Sequence, residues 1–271
     1  MSEQLSIETG VVCSKYNVEC LGLIDTDLRE IHLRNFLKHV GNGKLKKLDV
    51  GHNENLGVDG LSVTGIIVSQ CEVEKVGMRD CNLTAEEMKA FKESVRDAKL
   101  KDFYVSGNEN LGVDGVAITG IIVSQCEVEK IGMQECNLTA EAMEAFKENV
   151  RDAKLKELNV GSNANLGVDG VSVTGIIVSQ CEVEIVRMGK CNLTAEAMKA
   201  FKENVRDAKI NWLDLSFNKV SKLGDGGLSI ISEIVHQCQV QTLKMVFCEF
   251  SSDQLKRFKA MIADTGVEFE Y

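Results

Sequence analysis

Leu45-Lys46-Lys47-Leu48-Asp49-Val50-Gly51-His52-Asn53-Glu54-Asn55-Leu56, followed by Val73-Glu74-Lys75-Val76-Gly77-Met78-Arg79-Asp80-Cys81-Asn82-Leu83, decides the reading of this chain. Each stretch has apolar residues at its first, fourth and sixth positions, turns on a small polar residue at the ninth (Asn53 or Cys81), and closes on a leucine. Apolar side chains on either side of one outward residue are the alternation of a short strand buried on one face. Downstream, Met88, Phe91 and Val95 recur at helical spacing, and Thr84-Ala85-Glu86-Glu87 reads as a capping box that opens the helix. Thr139 and Thr194 stand at the same place with a carboxylate one step earlier, at Glu141 and Glu196. Each stretch therefore predicts a strand, a loop, a helix and a return.

The pattern repeats along the chain. Residues 45–99, 100–154 and 155–209 align without gaps at a period of 55, and 38 of the 55 positions are identical in all three copies. Each copy holds two related halves of 28 and 27 residues, giving nine units that start at Val18, Leu45, Val73, Leu100, Val128, Leu155, Val183, Ile210 and Val240. The copy from Ile210 is diverged and carries a two-residue insertion around Lys219 to Lys222. No such unit can bury its own apolar face, so the units must stack and pair their strands in parallel, with the helices outside. The expected fold is α/β, a solenoid curved into a horseshoe with an inner parallel sheet. The chain contains no proline, so nothing removes a donor from the strand ladder. We read one domain over 1–271: a cap or partial repeat at 1–17, eight units over 18–239, and the last unit with a cap at 240–271.

At this point the sequence resembles a known family. Asn163-Ala164-Asn165-Leu166-Gly167-Val168-Asp169-Gly170-Val171, its partner Cys191-Asn192-Leu193-Thr194-Ala195-Glu196, and Leu223-Gly224-Asp225-Gly226-Gly227-Leu228 are similar to the alternating repeats of the ribonuclease-inhibitor-like leucine-rich-repeat family, which includes the recognition region of NOD-like receptors. The resemblance covers roughly residues 18–265. It implies protein binding on a concave sheet and a role in immune or regulatory sensing. No nucleotide-binding segment with a phosphate loop accompanies the repeats. Two alternatives remain open: an engineered or structural repeat scaffold without a natural ligand, and a GTPase-activating regulator of the Ran activator type.

Composition excludes several classes. The net charge of -10 opposes binding to nucleic acid, which needs surplus Lys and Arg. No stretch approaches the roughly 18 apolar residues needed to span a bilayer, and no membrane association is expected. Eight of the ten cysteines fall at two repeat positions, Cys71, Cys126, Cys181 and Cys238 at helix ends and Cys81, Cys136, Cys191 and Cys248 after strands. They lack CxxC spacing or histidine neighbours, so buried structural thiols are expected, with no metal and no cofactor. Periodic free thiols favour a reducing compartment, and we expect a cytoplasmic protein. Asn82-Leu83-Thr84, Asn137-Leu138-Thr139 and Asn192-Leu193-Thr194 match the glycosylation sequon, but helix capping already explains each threonine. The glycines of Gly57-Val58-Asp59-Gly60 lack the lysine of a phosphate loop and the oxygen ligands of a calcium loop, so they read as loops leading into helices. The four histidines, His32, His39, His52 and His236, lie in different repeats without a nucleophile, and no enzyme is expected.

Function is legible where the copies differ. The ten outward strand positions of a copy (46, 47, 49, 51, 52, 74, 75, 77, 79 and 80 in the first) vary at 8, against 9 of the remaining 45. Lys47, Asp102 and Glu157 share one column, Asp49, Tyr104 and Asn159 another, and Arg79, Gln134 and Gly189 a third. Diversity concentrated on one face points to recognition, for which an inner arc of roughly 40 Å and an interface of about 800 Å² per partner are available. The charges there are mixed, which suits a protein or peptide better than a polyanion. Near the C-terminal end Ile185, Arg187, Lys190, Trp212, Phe217, Val246 and Phe247 gather as a candidate hot spot. The competing reading is that residues 265–271 fold over these aromatics as a cap. The candidate protein-binding residues are Lys47, Asp49, His52, Arg79, Asp102, Tyr104, Asn159, Ile185, Arg187, Lys190, Trp212, Phe217 and Phe247.

Overall fold

The structure is a computed structural model that describes residues 1–41, 43–96 and 98–271. It divides into two units, residues 1–136 and 137–271. The first runs α1 (Glu3–Tyr16), β1 (Cys20–Gly22), α2 (Glu30–Val40), β2 (Lys47–Asp49), α3 (Gly57–Gln70), β3 (Lys75–Gly77), α4 (Ala85–Ser94), β4 (Asp102–Tyr104), α5 (Gly112–Gln125) and β5 (Lys130–Gly132). Its strands pair in parallel and in chain order from β1 to β5. The second runs α6 (Ala140–Asn149), β6 (Glu157–Asn159), α7 (Gly167–Gln180), β7 (Ile185–Arg187), α8 (Ala195–Asn204), β8 (Trp212–Asp214), α9 (Val220–Gln237), β9 (Thr242–Lys244), α10 (Ser252–Met261) and β10 (Glu268–Glu270). Its strands pair in the same way from β6 to β10. Each unit is thus a leucine-rich-repeat solenoid of the α/β class.

The middle residue of each interior strand, such as Leu48, Val76 and Phe103, or Val186, Leu213 and Leu243, is fully buried. The helices alternate between a long apolar type and a short amphipathic one. In the pair α3 and α4, a Cβ on Gly65 would lie 2.5 Å from Cβ of Ser94 and 3.1 Å from the Phe91 carbonyl oxygen. Only glycine permits that approach, and Phe91, the apolar anchor of α4, is fully buried. Thr84 caps α4 in a reciprocal box with Glu87, while Thr139 and Thr194 accept from the N–H groups of Ala142 and Ala197. The segment Gly57–Gly60 is the first turn of α3, one step beyond the loop the sequence suggests. The insertion in the diverged copy adds a turn, Val220–Leu223, ahead of Gly224, whose φ of 62° matches the 60–61° of Gly57, Gly112 and Gly167 at the same place in the other copies.

Two side-chain ladders seal the turns. Asn108 Nδ2 donates to the carbonyls of Met78 (2.9 Å), Val105 (2.7 Å) and Ser106 (3.3 Å), and its Oδ1 accepts from the N–H groups of Cys81 and Leu83 at 3.0 Å. Asn53 and Asn218 do the same in their repeats, and all three are buried. The cysteines form the complementary ladder: Cys81, Cys136 and Cys191 donate S–H to the carbonyls of Val50, Val105 and Val160 at 3.2–3.3 Å. Burial pushes the Cys136 thiol up to about 12 and that of Cys191 to about 11. All ten cysteines are free, and Cys20 alone is exposed. The native protein at pH 8 is therefore expected to release colour from Ellman's reagent at one thiol, and at all ten in guanidinium. Rapid native reaction of several thiols would refute the structural role of the ladder.

Candidate functional site

In the first unit the outward strand residues lie flat. Tyr104 crosses Gly132 of the next strand, where a Cβ would sit 2.7 Å from its ring, and Asp49 crosses Gly77 in the same manner. Lys75 Nζ stands 3.2 Å from the Asp102 carboxylate and 4.8 Å from the Tyr104 ring centroid. His52 Nδ1 and Arg79 Nε approach one oxygen of Asp80 at 3.6 and 4.0 Å. Lys47 is half-buried beside them in β2. The structure thus brings Asp102 and Tyr104 together and places His52 with Arg79. Their surface is polar and internally paired.

The second unit differs. Where the first has Gly77 and Gly132, the equivalent strand positions carry Arg187 and Lys244. Arg187 Nε donates to Glu157 at 2.9 Å, its guanidinium lies 5.5 Å from the Trp212 ring centroid, and Lys244 pairs with Glu270 at 2.8 Å. Beyond the strand ends lies an open groove of about 580 Å³ walled by Asn159, Arg187, Lys190, Asp214, Phe217 and Phe247, with Gly161 and Gly189 also in its lining. Phe217 and Phe247 are 56% and 69% exposed and stack with ring centroids 5.0 Å apart. With Val246 in the same lining, the pair makes an exposed apolar patch rimmed by polar and charged residues, the kind of surface associated with interaction sites.

The backbone under that pair points the same way. Phe217 and Phe247 take φ of 61° and 58°. The turn demands this left-handed conformation in every repeat, and elsewhere it is occupied by His52, Gly107 and Ser162, or by Asp80, Glu135 and Lys190. A bulky side chain there costs about 1–2 kcal/mol. Two strained aromatics exposed side by side are hard to explain as packing.

Two expectations need correction in part. Residues 265–271 do not cover the Phe217–Phe247 pair. They form β10 beside β9, with Phe269 edge-on to Phe250 and Phe258 and stacked on Tyr271. Val267 and Phe269 alternate as strand residues do, a signal too short to stand out in the sequence. Trp212 and Ile185, neighbours in the sheet, do not line the groove. Trp212 is half-buried beneath Arg187, and its Nε1 is a buried donor without a partner among the described residues. Asp214 and Lys244, absent from the sequence-derived set, do line it. They occupy the columns of Asn159 and Arg187, so extending the columns into the diverged copy identifies them.

The strand-turn-helix repeat, the parallel strands and the asparagine and cysteine ladders define a leucine-rich-repeat protein. Residues 41–63 match the family described as "Leucine Rich repeat". The chain is 28% identical over 249 residues to the mouse (Mus musculus) ribonuclease inhibitor, covering 88% of this chain and 54% of that protein. It is 31% identical over 221 residues to the pig (Sus scrofa) ribonuclease inhibitor, covering 78% of this chain and 47% of that one. Human (Homo sapiens) NACHT, LRR and PYD domains-containing protein 5 matches at 24% identity over 68% of this chain and 16% of its own length. Within the leucine-rich-repeat class, the chain is ribonuclease-inhibitor-like. It spans about half the length of the inhibitors it matches. No helix among the described residues is long and apolar enough to cross a membrane.

Proposed function

We propose that this chain is a protein-recognition module that takes a protein or peptide ligand on its outward strand face, with Phe217 and Phe247 as the anchors in the second unit. The observation that carries this reading is the stacked, exposed pair held on strained backbone beside a groove. Energetic anchors of protein interfaces are large side chains set in a partly desolvated pocket and ringed by polar groups, which this arrangement supplies. The likeness to proteins named ribonuclease inhibitors supports a protein as the ligand, and the likeness to a NACHT, LRR and PYD protein supports a sensing role. The chain's charge of -10 favours a protein over a nucleic acid, and its free thiols favour a cytoplasmic setting. On this reading the polar columns of the first unit, from Lys47 and Asp49 to Tyr104, are that unit's own recognition surface.

The test is capture from source-cell lysate on immobilised protein, wild type beside the Phe217→Ser, Phe247→Asn double variant, with circular dichroism as the folding control. The expected result is a partner retained by the wild type and lost by the folded variant. Identical captures by the two proteins, or no specific capture by either, would overturn the assignment.

A further inference from the structure

The groove exists because one repeat lacks a side chain that its equivalents carry. At the column of Gly189 the first unit has Arg79 and Gln134, and Gln134 there accepts a hydrogen bond from the Ser106 hydroxyl across the strand ends. At the neighbouring column Tyr104 of the first unit becomes Asn159. Loss of this bulk opens the space beside Phe217 and Phe247. Its volume of about 580 Å³ falls within the range of ligand pockets, roughly 300–1,000 Å³.

The charges in its lining lean positive. Arg187, Lys190 and Lys244 are cations in the lining, and Asp214 is the single carboxylate, on a chain whose net charge is -10. Glu157 and Glu270 hold Arg187 and Lys244 from outside the lining, and Asp214 stands 4.0 Å from Arg187 within it. A guanidinium has five donors and an ammonium three, so those pairings leave N–H groups for an incoming acceptor.

Resting on the recognition reading above, we propose that this groove takes a peptide segment of the partner in which a large apolar side chain neighbours a carboxylate. The apolar side chain lies over Gly189 against the phenylalanine pair, and the carboxylate meets Arg187 and Lys244. Gly189 is the position that sets specificity: its emptiness admits the side chain that Arg79 or Gln134 would exclude.

The probe is a displayed library of random 12-residue peptides, selected on the wild-type chain and counter-selected on Gly189→Gln. That variant installs the residue the repeat itself carries at 134, and circular dichroism checks its fold. Affinities of the selected peptides follow from the fluorescence of Trp212, the single tryptophan, which lies against Arg187. The expected result is enrichment of Phe, Leu or Met beside Asp or Glu, with affinity lowered about tenfold or more in Gly189→Gln and in Lys244→Met. No enrichment, enrichment of basic peptides, or affinity indifferent to Gly189→Gln would overturn the proposal. If the lysate partner is nonetheless lost by the phenylalanine variant, only the ligand chemistry is wrong. If both experiments fail together, the recognition reading fails with it.

Discussion

Asn108→Ala lowers the melting temperature of this protein by about 10 °C, while Asn110→Ala, two residues away, leaves it nearly unchanged. The Asn108 side chain donates to three backbone carbonyls and accepts from two backbone N–H groups, all inside the turn where the chain leaves the sheet. Alanine leaves the Met78 carbonyl and the N–H groups of Cys81 and Leu83 without the amide, while the Val105 and Ser106 carbonyls keep the Cys136 S–H and the Asp80 N–H. Each unsatisfied buried group costs about 1–3 kcal/mol, although relaxation of the turn recovers part of the sum, so about 3–5 kcal/mol is expected. Asn110 is exposed and donates only to Asn82, another exposed side chain. Calorimetry on the two variants decides the matter. Equal melting temperatures would show that the ladder is a passenger of the turn rather than its support.

The second large effect separates binding from stability. Replacing Phe217 with serine, as at Ser162, and Phe247 with asparagine lowers affinity for the captured partner by about 30-fold or more, the loss of roughly 2 kcal/mol or more expected for anchor residues. The same variant melts no lower than the wild type. Both phenylalanines sit at φ near 60° and remain largely exposed, so removing them relieves backbone strain and gives up only the stacked contact between the rings. Titration calorimetry for affinity and differential scanning for stability measure the two quantities independently. A variant that loses affinity only because it melts lower would reassign the pair to packing.

The scaffold was readable because its forces are periodic. Leu48, Val76 and Phe103 are each dictated by the pairing of a neighbour with the same need, so one repeat predicts the next. The sequence also located the insertion, although the added turn Val220–Leu223 depends on how two extra residues are absorbed ahead of a helix. What escaped was aperiodic. Strand β10 escaped because a three-residue alternation is too short a signal to stand out. Trp212 occupies an outward column, yet Arg187 stacks over it and leaves it half-buried. That depends on a contact between adjacent strands, which column counting does not see. The groove was partly legible: the substitution of Arg79 and Gln134 by Gly189 was on view, but its consequence needs the volume around the missing side chain. The left-handed turn beneath Phe217 and Phe247 is equally hidden, since neither residue advertises such a backbone.

The cysteine ladder turns the molecule into its own recorder of partial unfolding. A buried thiol whose proton is held by a neighbouring carbonyl becomes reactive only when its own turn opens. The buried thiols recur through both units, from Cys71 to Cys248, and each of these belongs to an identifiable repeat. Brief exposure to an alkylating agent, followed by mapping of the modified peptides, would rank the repeats by how often each breathes. Such a ranking needs no added label, and it would show whether the repeats that present Phe217 and Phe247 are the ones held most loosely.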